Sequence, residues 1–100
     1  AKYRVEVGTF GHAGDGNLHP TFLCDKRDKE EFARVEEAID EMFDVALKLQ
    51  GTLSGEHGIG TAKAKWMEKE TSRGTILFSQ RLRRALDPKG LLNPSKLVGI

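Results

Sequence analysis

The chain has 100 residues, enough for one small domain or a piece of one and too few for two independent cores. Its 38% hydrophobic and 31% charged residues are those of a globular protein, and 16 basic against 15 acidic side chains leave a net charge of +1, which gives no reason to expect nucleic acid as a partner. No apolar run approaches the ~20 residues that span a bilayer, Ala1 to Val7 lack the apolar core of a signal peptide, and the single cysteine, Cys24, excludes an internal disulfide or a thiolate cluster; a cytoplasmic protein is expected.

From Tyr3 to Phe10, Tyr, Val and Val alternate with Arg, Glu and Gly, a period of two that predicts a half-buried strand. Leu18 to Cys24 reads as its partner, and Asp15-Gly16-Asn17 between them supplies the positive φ values of a tight reversal, so a β-hairpin is expected. Phe32, Val35, Ile39, Met42, Phe43, Ala46 and Leu47 then recur at spacings of three and four, which predicts a helix over about residues 28 to 50. Asp28 with Glu31 forms a capping-box pattern, and Gly51 stands where a left-handed cap is usual. Thr52-Leu53-Ser54 is compatible with a short strand. Thr61 opens a short helix through Lys69, and a further helix with Phe78, Leu82, Ala85 and Leu86 on one face stops at Asp87-Pro88. The tail from Lys89 to Ile100 reads as turns. Two strands make a thin sheet for three helices, so strands missing upstream are expected.

All three histidines, His12, His19 and His57, fall in the two glycine-rich segments, Gly11 to Asn17 with its flank and Gly55 to Gly60. His12 and His19 bracket the hairpin loop, so their imidazoles are able to converge, and Glu56 precedes His57. Two imidazoles and a carboxylate suit Zn²⁺, Mn²⁺ or Fe²⁺ with an open coordination position. Neighbouring residues in an extended loop point different ways, which divides the work into Glu56 as ligand and His57 as acid/base. Taken singly, each histidine has an ordinary structural reading, and spacing allows convergence without establishing it. Gly55 to Gly60 is followed by Thr61-Ala62 instead of the Lys-Ser/Thr of a P-loop, and Glu56-His57 is not the two-histidine helix motif of zincins. Arg81, Arg83 and Arg84 read as a solvated helix end, Trp66 and Met67 as core or interface, and Cys24 as a small buried apolar group.

Three segments in series, Gly11-His12-Ala13-Gly14-Asp15-Gly16-Asn17-Leu18-His19-Pro20, Ser54-Gly55-Glu56-His57-Gly58-Ile59-Gly60 and Leu86-Asp87-Pro88-Lys89-Gly90-Leu91-Leu92-Asn93-Pro94, resemble the C-terminal portion of FAD-linked oxidases of the glycolate oxidase and D-lactate dehydrogenase type, in the vanillyl-alcohol oxidase superfamily. The resemblance implies that residues 1–100 are the C-terminal part of a substrate domain, with the FAD-binding domain absent from this chain. It implies an α+β fold: an antiparallel sheet, half of a ferredoxin-like one, with helices packed on one face and truncation on the N-terminal side. By motif, the divalent metal (Zn, Mn or Fe) takes His12, His19 and Glu56, His57 is the catalytic histidine, and Asn93 lies near the flavin. Thr21, on the strand face of His19, and Asn17 are assigned to substrate. Ser95 stands where glycine is common and Arg83 where lysine is common, which leaves the tail contacts open.

The implied reaction oxidises a small 2-hydroxy acid of the glycolate or D-lactate class to the 2-oxo acid, His57 taking the hydroxyl proton and FAD the hydride. The expected partners are that acid, the chain's own FAD domain and a second copy in a homodimer, with neither nucleic acid nor a membrane span. Two other readings stand beside it: a self-contained metal-dependent hydrolase and a non-catalytic α+β association module.

Overall fold

The computed structural model describes residues 2–100, so Ala1 lies outside the account. The chain divides into two compact units, Ala1–Val45 and Ala46–Ile100. A two-stranded antiparallel sheet and three α-helices give the expected α+β architecture among the described residues.

In the first unit, β1 (Glu6–His12) and β2 (Asn17–Leu23) form the hairpin. The register pairs Glu6 with Leu23 and His12 with Asn17, leaving a four-residue turn. Asp15 N–H donates to the His12 carbonyl at 3.1 Å, Gly16 N–H to that of Ala13 at 3.4 Å, and Gly16 alone takes the positive φ, at 66°. Gly11 answers a different need: a Cβ there would lie 2.2 Å from the Asn17 carbonyl oxygen, so the strands approach through a missing side chain. The first strand begins three residues later than its alternation predicts. Arg4 adopts φ 51°, which breaks the extended run, and Glu41 captures the Tyr3 hydroxyl and, at 2.9 Å, the Lys2 ammonium. Cys24 is half-buried.

The helix α1 (Lys29–Lys48) carries the expected stripe, with Val35, Ala38 and Phe43 buried. Asp28 Oδ1 accepts the N–H groups of Glu30 and Glu31, both at 3.1 Å, satisfying two orphan donors of the first turn. The reciprocal arm of the capping box is redirected: Glu31 Oε2 accepts from the Asp25 N–H at 3.3 Å. At the other end Gly51 N–H bonds to the Ala46 carbonyl (2.8 Å) and Gln50 N–H to that of Leu47 (3.0 Å), a Schellman closure. The left-handed residue is therefore Gln50, at φ 64°, and Gly51 follows it.

In the second unit the short strand expected at Thr52-Leu53-Ser54 does not form, because side chains satisfy its backbone. Leu53 N–H donates to Glu70 Oε2 at 3.2 Å and Lys63 Nζ donates to the Leu53 carbonyl at 2.8 Å, while the Leu53 side chain is buried. The helix expected from Thr61 begins instead as a 3₁₀ turn, Ala64–Trp66, and continues as α2 (Met67–Glu70). Trp66 is buried and Met67 half-buried. Ser72 Oγ accepts from Thr75 N–H and caps α3 (Arg73–Leu86), which ends at Asp87 before Pro88 as predicted. Its expected apolar face is exposed, Phe78 to 67% and Leu86 to 76%, whereas Ile76, Ser79, Gln80 and Arg83 are half-buried. Among the described residues no helix is long and apolar enough to cross a membrane.

Candidate functional site

The hairpin register decides what the first unit presents. His12 pairs with Asn17, Phe10 with His19 and Gly8 with Thr21, and residues two apart share a face. His12, Phe10, Asn17, His19 and Thr21 therefore stand on one side of the ribbon. His12 and His19 are diagonal neighbours across the strands, close enough for long side chains to meet. Their rings lie edge to face at 79° with centroids 6.3 Å apart, and each offers a ring nitrogen within 4.8 Å of the other's.

Phe10 is a member of this face that sequence reasoning missed. It stacks on His19 at 5.2 Å between centroids and 12° between planes, fixing the tilt of that imidazole. Its signal was its position, two residues before His12 and opposite His19 once the turn is closed. Across from Thr21, Gly8 carries no side chain, and a Cβ there would touch nothing within 4 Å, so the face stays open beyond His19.

The second unit holds Glu56 and His57 on the loop from Ser54 to Gly60. Ser54 Oγ accepts the Gly58 N–H at 2.7 Å, and Gly58 takes φ 79°, folding the loop back on itself. Both side chains are exposed, and Glu56 Oε1 lies 3.7 Å from His57 Nε2. The loop is not extended here, so these neighbours approach each other instead of pointing apart as expected. The loop is anchored at its entry by Glu70 and Lys63 on Leu53, and at its exit by the Leu97 N–H donating to the Gly60 carbonyl at 2.8 Å.

Asn93 sits in the tail at φ 47°, exposed. Around it, Asp87 Oδ1 accepts from Leu91 N–H at 3.0 Å and Oδ2 from Leu92 N–H at 2.8 Å. The Leu92 amide first, then that of Leu91, hold the Asp87 carboxyl below the usual carboxylate range, with the Arg83 charge adding to the effect. Arg83 Nη2 donates to the Leu92 carbonyl and, at 2.7 Å, to that of Asn93. Gln80 Nε2 donates to the Val98 carbonyl at 2.8 Å. Arg83 is thus a tail contact and not the solvated cation its sequence context predicted.

The chain matches the family described as FAD linked oxidases, C-terminal domain, over residues 1–97. It is 48% identical over 97 residues to glycolate oxidase subunit GlcD of Bacillus subtilis, an alignment covering 97% of this chain and 21% of that protein. A D-lactate dehydrogenase [cytochrome], mitochondrial, of Arabidopsis thaliana is 39% identical over 87 residues, 87% of this chain and 15% of its own length. A D-2-hydroxyglutarate dehydrogenase of Stutzerimonas stutzeri is 36% identical over 94 residues, 92% of this chain and 20% of its own. The chain spans about a fifth or less of these relatives. With the family matched almost end to end, the chain belongs to the C-terminal domain family of the FAD linked oxidases.

Proposed function

We propose that residues 1–100 form the C-terminal part of the substrate domain of an FAD-dependent oxidoreductase that converts a small 2-hydroxy acid, of the glycolate or D-lactate class, to the 2-oxo acid. The observation that carries the reading is the diagonal pair His12 and His19 on one hairpin face, ring nitrogens within 4.8 Å, in a member of this family. The printed names of the relatives, a glycolate oxidase component and dehydrogenases of D-lactate and D-2-hydroxyglutarate, share a 2-hydroxy acid as substrate.

The proposed metal ligands are His12, His19 and Glu56. Two neutral imidazoles and one carboxylate fit Zn²⁺, Mn²⁺ or Fe²⁺ by donor chemistry, and the stacked Phe10 supplies the orienting contact that ligand histidines need. When bound, a divalent ion supplies positive charge that favours loss of the substrate hydroxyl proton, and FAD, held mainly by a domain outside these residues, accepts the hydride. The chain's own part is to position and deprotonate. His57 takes the hydroxyl proton, Thr21 and Asn17 hydrogen-bond substrate oxygens, and Asn93 faces the flavin. The exposed apolar residues of α3 support association with the FAD domain and with a second copy.

The experiment uses the full-length protein and pairs elemental analysis with steady-state rates. Replacing His12, His19 or Glu56 with alanine removes metal and turnover together. His57→Ala keeps the metal and lowers turnover by about 10²- to 10⁴-fold. A His57→Ala protein as metal-poor as His12→Ala would make His57 a ligand and overturn the assignment. Full metal content in all three ligand variants would overturn the metal site.

A further inference from the structure

The tail around Asn93 is gripped by two residues of α3's C-terminal end, and the way they grip it specifies one backbone conformation. Asp87 closes the helix, its N–H donating to the Arg83 carbonyl at 2.8 Å, and its own carbonyl accepts the Gly90 N–H at 3.0 Å. The two carboxylate oxygens of Asp87 then divide the amides of Leu91 and Leu92 between them. One helical turn earlier, on the same face, Arg83 Nη2 takes the carbonyls of Leu92 and Asn93.

Those two carbonyls belong to the peptide groups on either side of the Asn93 Cα. Holding both carbonyls restricts φ and ψ between them, so one guanidinium nitrogen constrains the direction in which the Asn93 side chain leaves the backbone. The conformation chosen is left-handed, which is disfavoured for non-glycine residues and which asparagine tolerates better than most. Pro94 follows and disfavours the right-handed helical alternative. These bonds are made to main-chain groups at Leu91, Leu92 and Asn93, and none of them uses the Asn93 side-chain amide.

We propose that Arg83 and Asp87 are positioning residues that hold the Asn93 side chain toward the flavin. The inference rests on the reading above in which Asn93 faces that cofactor. Arg83 acts on both peptide planes of Asn93, and Asp87 acts one peptide earlier, by holding the Leu92 amide.

The test is a double-mutant cycle in the full-length, FAD-loaded protein, with Asn93→Ala, Arg83→Met and their combination, read by kcat, the visible flavin spectrum and Tm. Arg83→Met is expected to lower kcat by about 10- to 100-fold and to shift the flavin bands as Asn93→Ala does. In the Asn93→Ala background it should add nothing further, because the side chain it positions is gone. Arg83→Lys, which keeps the charge but offers a single ammonium point, should fall between wild type and Arg83→Met, and it carries the same cycle if Arg83→Met does not fold. Asp87→Asn should share the kcat loss. Independent, multiplying effects of the two substitutions would overturn the proposal, as would a lowered Tm with kcat and spectrum unchanged in Arg83→Met. If Asn93→Ala itself leaves kcat and spectrum at wild-type values, the placement of Asn93 at the flavin fails and the positioning role fails with it. That outcome is distinguished by the single variant alone.

Discussion

Phe10 and His19 face each other across the two strands with their rings stacked, centroids 5.2 Å apart and planes 12° from parallel. A flat aromatic wall restricts rotation of the imidazole about its Cβ–Cγ bond, so His19 presents its nitrogens in a narrow range of directions. Phe10→Leu keeps apolar bulk on the strand but removes the wall. With the ligand set proposed above, it should weaken Zn²⁺ or Mn²⁺ binding by the full-length protein by about tenfold, with Phe10→Tyr near wild type. Equilibrium dialysis against each ion measures it, and an unchanged affinity in Phe10→Leu would leave the stack without an orienting role.

Gly11 and Gly8 lie on one strand and make opposite demands. A methyl group on Gly11 meets backbone, 2.2 Å from the Asn17 oxygen and 3.0 Å from the Leu18 Cα, and no flexible side chain is there to yield. Gly11→Ala should cost roughly 1–3 kcal/mol of stability. Gly8→Ala, with nothing within 4 Å, should stay within about 0.5 kcal/mol of wild type. Urea denaturation followed by circular dichroism compares the two.

At the end of α1 the left-handed position carries a glutamine. Gln50→Gly removes the steric cost of φ 64° while leaving the two Schellman hydrogen bonds in place, and the added backbone freedom of glycine offsets part of the gain. The net expectation is a stabilisation of about 0.5–1 kcal/mol, seen as a raised urea midpoint at unchanged slope. A lowered midpoint would contradict the cap geometry.

The lowered Asp87 carboxyl sets a pH dependence for the tail. A depressed folded-state value means that the contribution is fully present above the ordinary aspartate value of about 3.9 and is lost as pH falls through the folded one. The protection of the Leu91 and Leu92 amides, their exchange measured against the intrinsic rate at each pH, should therefore fall on acidification in wild type, and in Asp87→Asn it should be low and nearly independent of that transition. Asp25 is also lowered, by its bonds to Arg27, and it makes no contact with the tail amides, so Asp25→Asn is the control that should leave the Leu91 and Leu92 response intact.

What was legible in the sequence followed locality. The stripe from Phe32 to Leu47 and the Asp28 cap lie within a few residues of what they organise, and α1 formed to within a few residues of its expected ends. The hairpin was legible for the same reason, and with it the shared face of His12 and His19. Leu53 was misread because its hydrogen-bond partners, Lys63 and Glu70, lie ten and seventeen residues on, where a period-two pattern carries no information. Arg4 was misread because its left-handed φ has no glycine to announce it. Arg83 looked like a solvated cation because its partners are main-chain carbonyls, and carbonyls leave no mark in a sequence.

The helix α3 turns its amphipathic logic around: Gln80 and Arg83 are half-buried and bond to the tail, while Phe78, Leu82 and Leu86 are exposed. Ordinary rules for improving a small domain are inverted along this helix. Leu82→Lys, a change a protein engineer would normally avoid in an apolar stripe, should raise solubility and leave the tail bonded. Gln80→Leu, which looks like added core, removes the donor that meets the Val98 carbonyl and should loosen the last residues of the chain. Within residues 1–100, solubility is therefore gained by keeping the polar side of α3 as it stands and substituting the greasy one, and in the full-length protein the same substitutions should weaken the association proposed for that face.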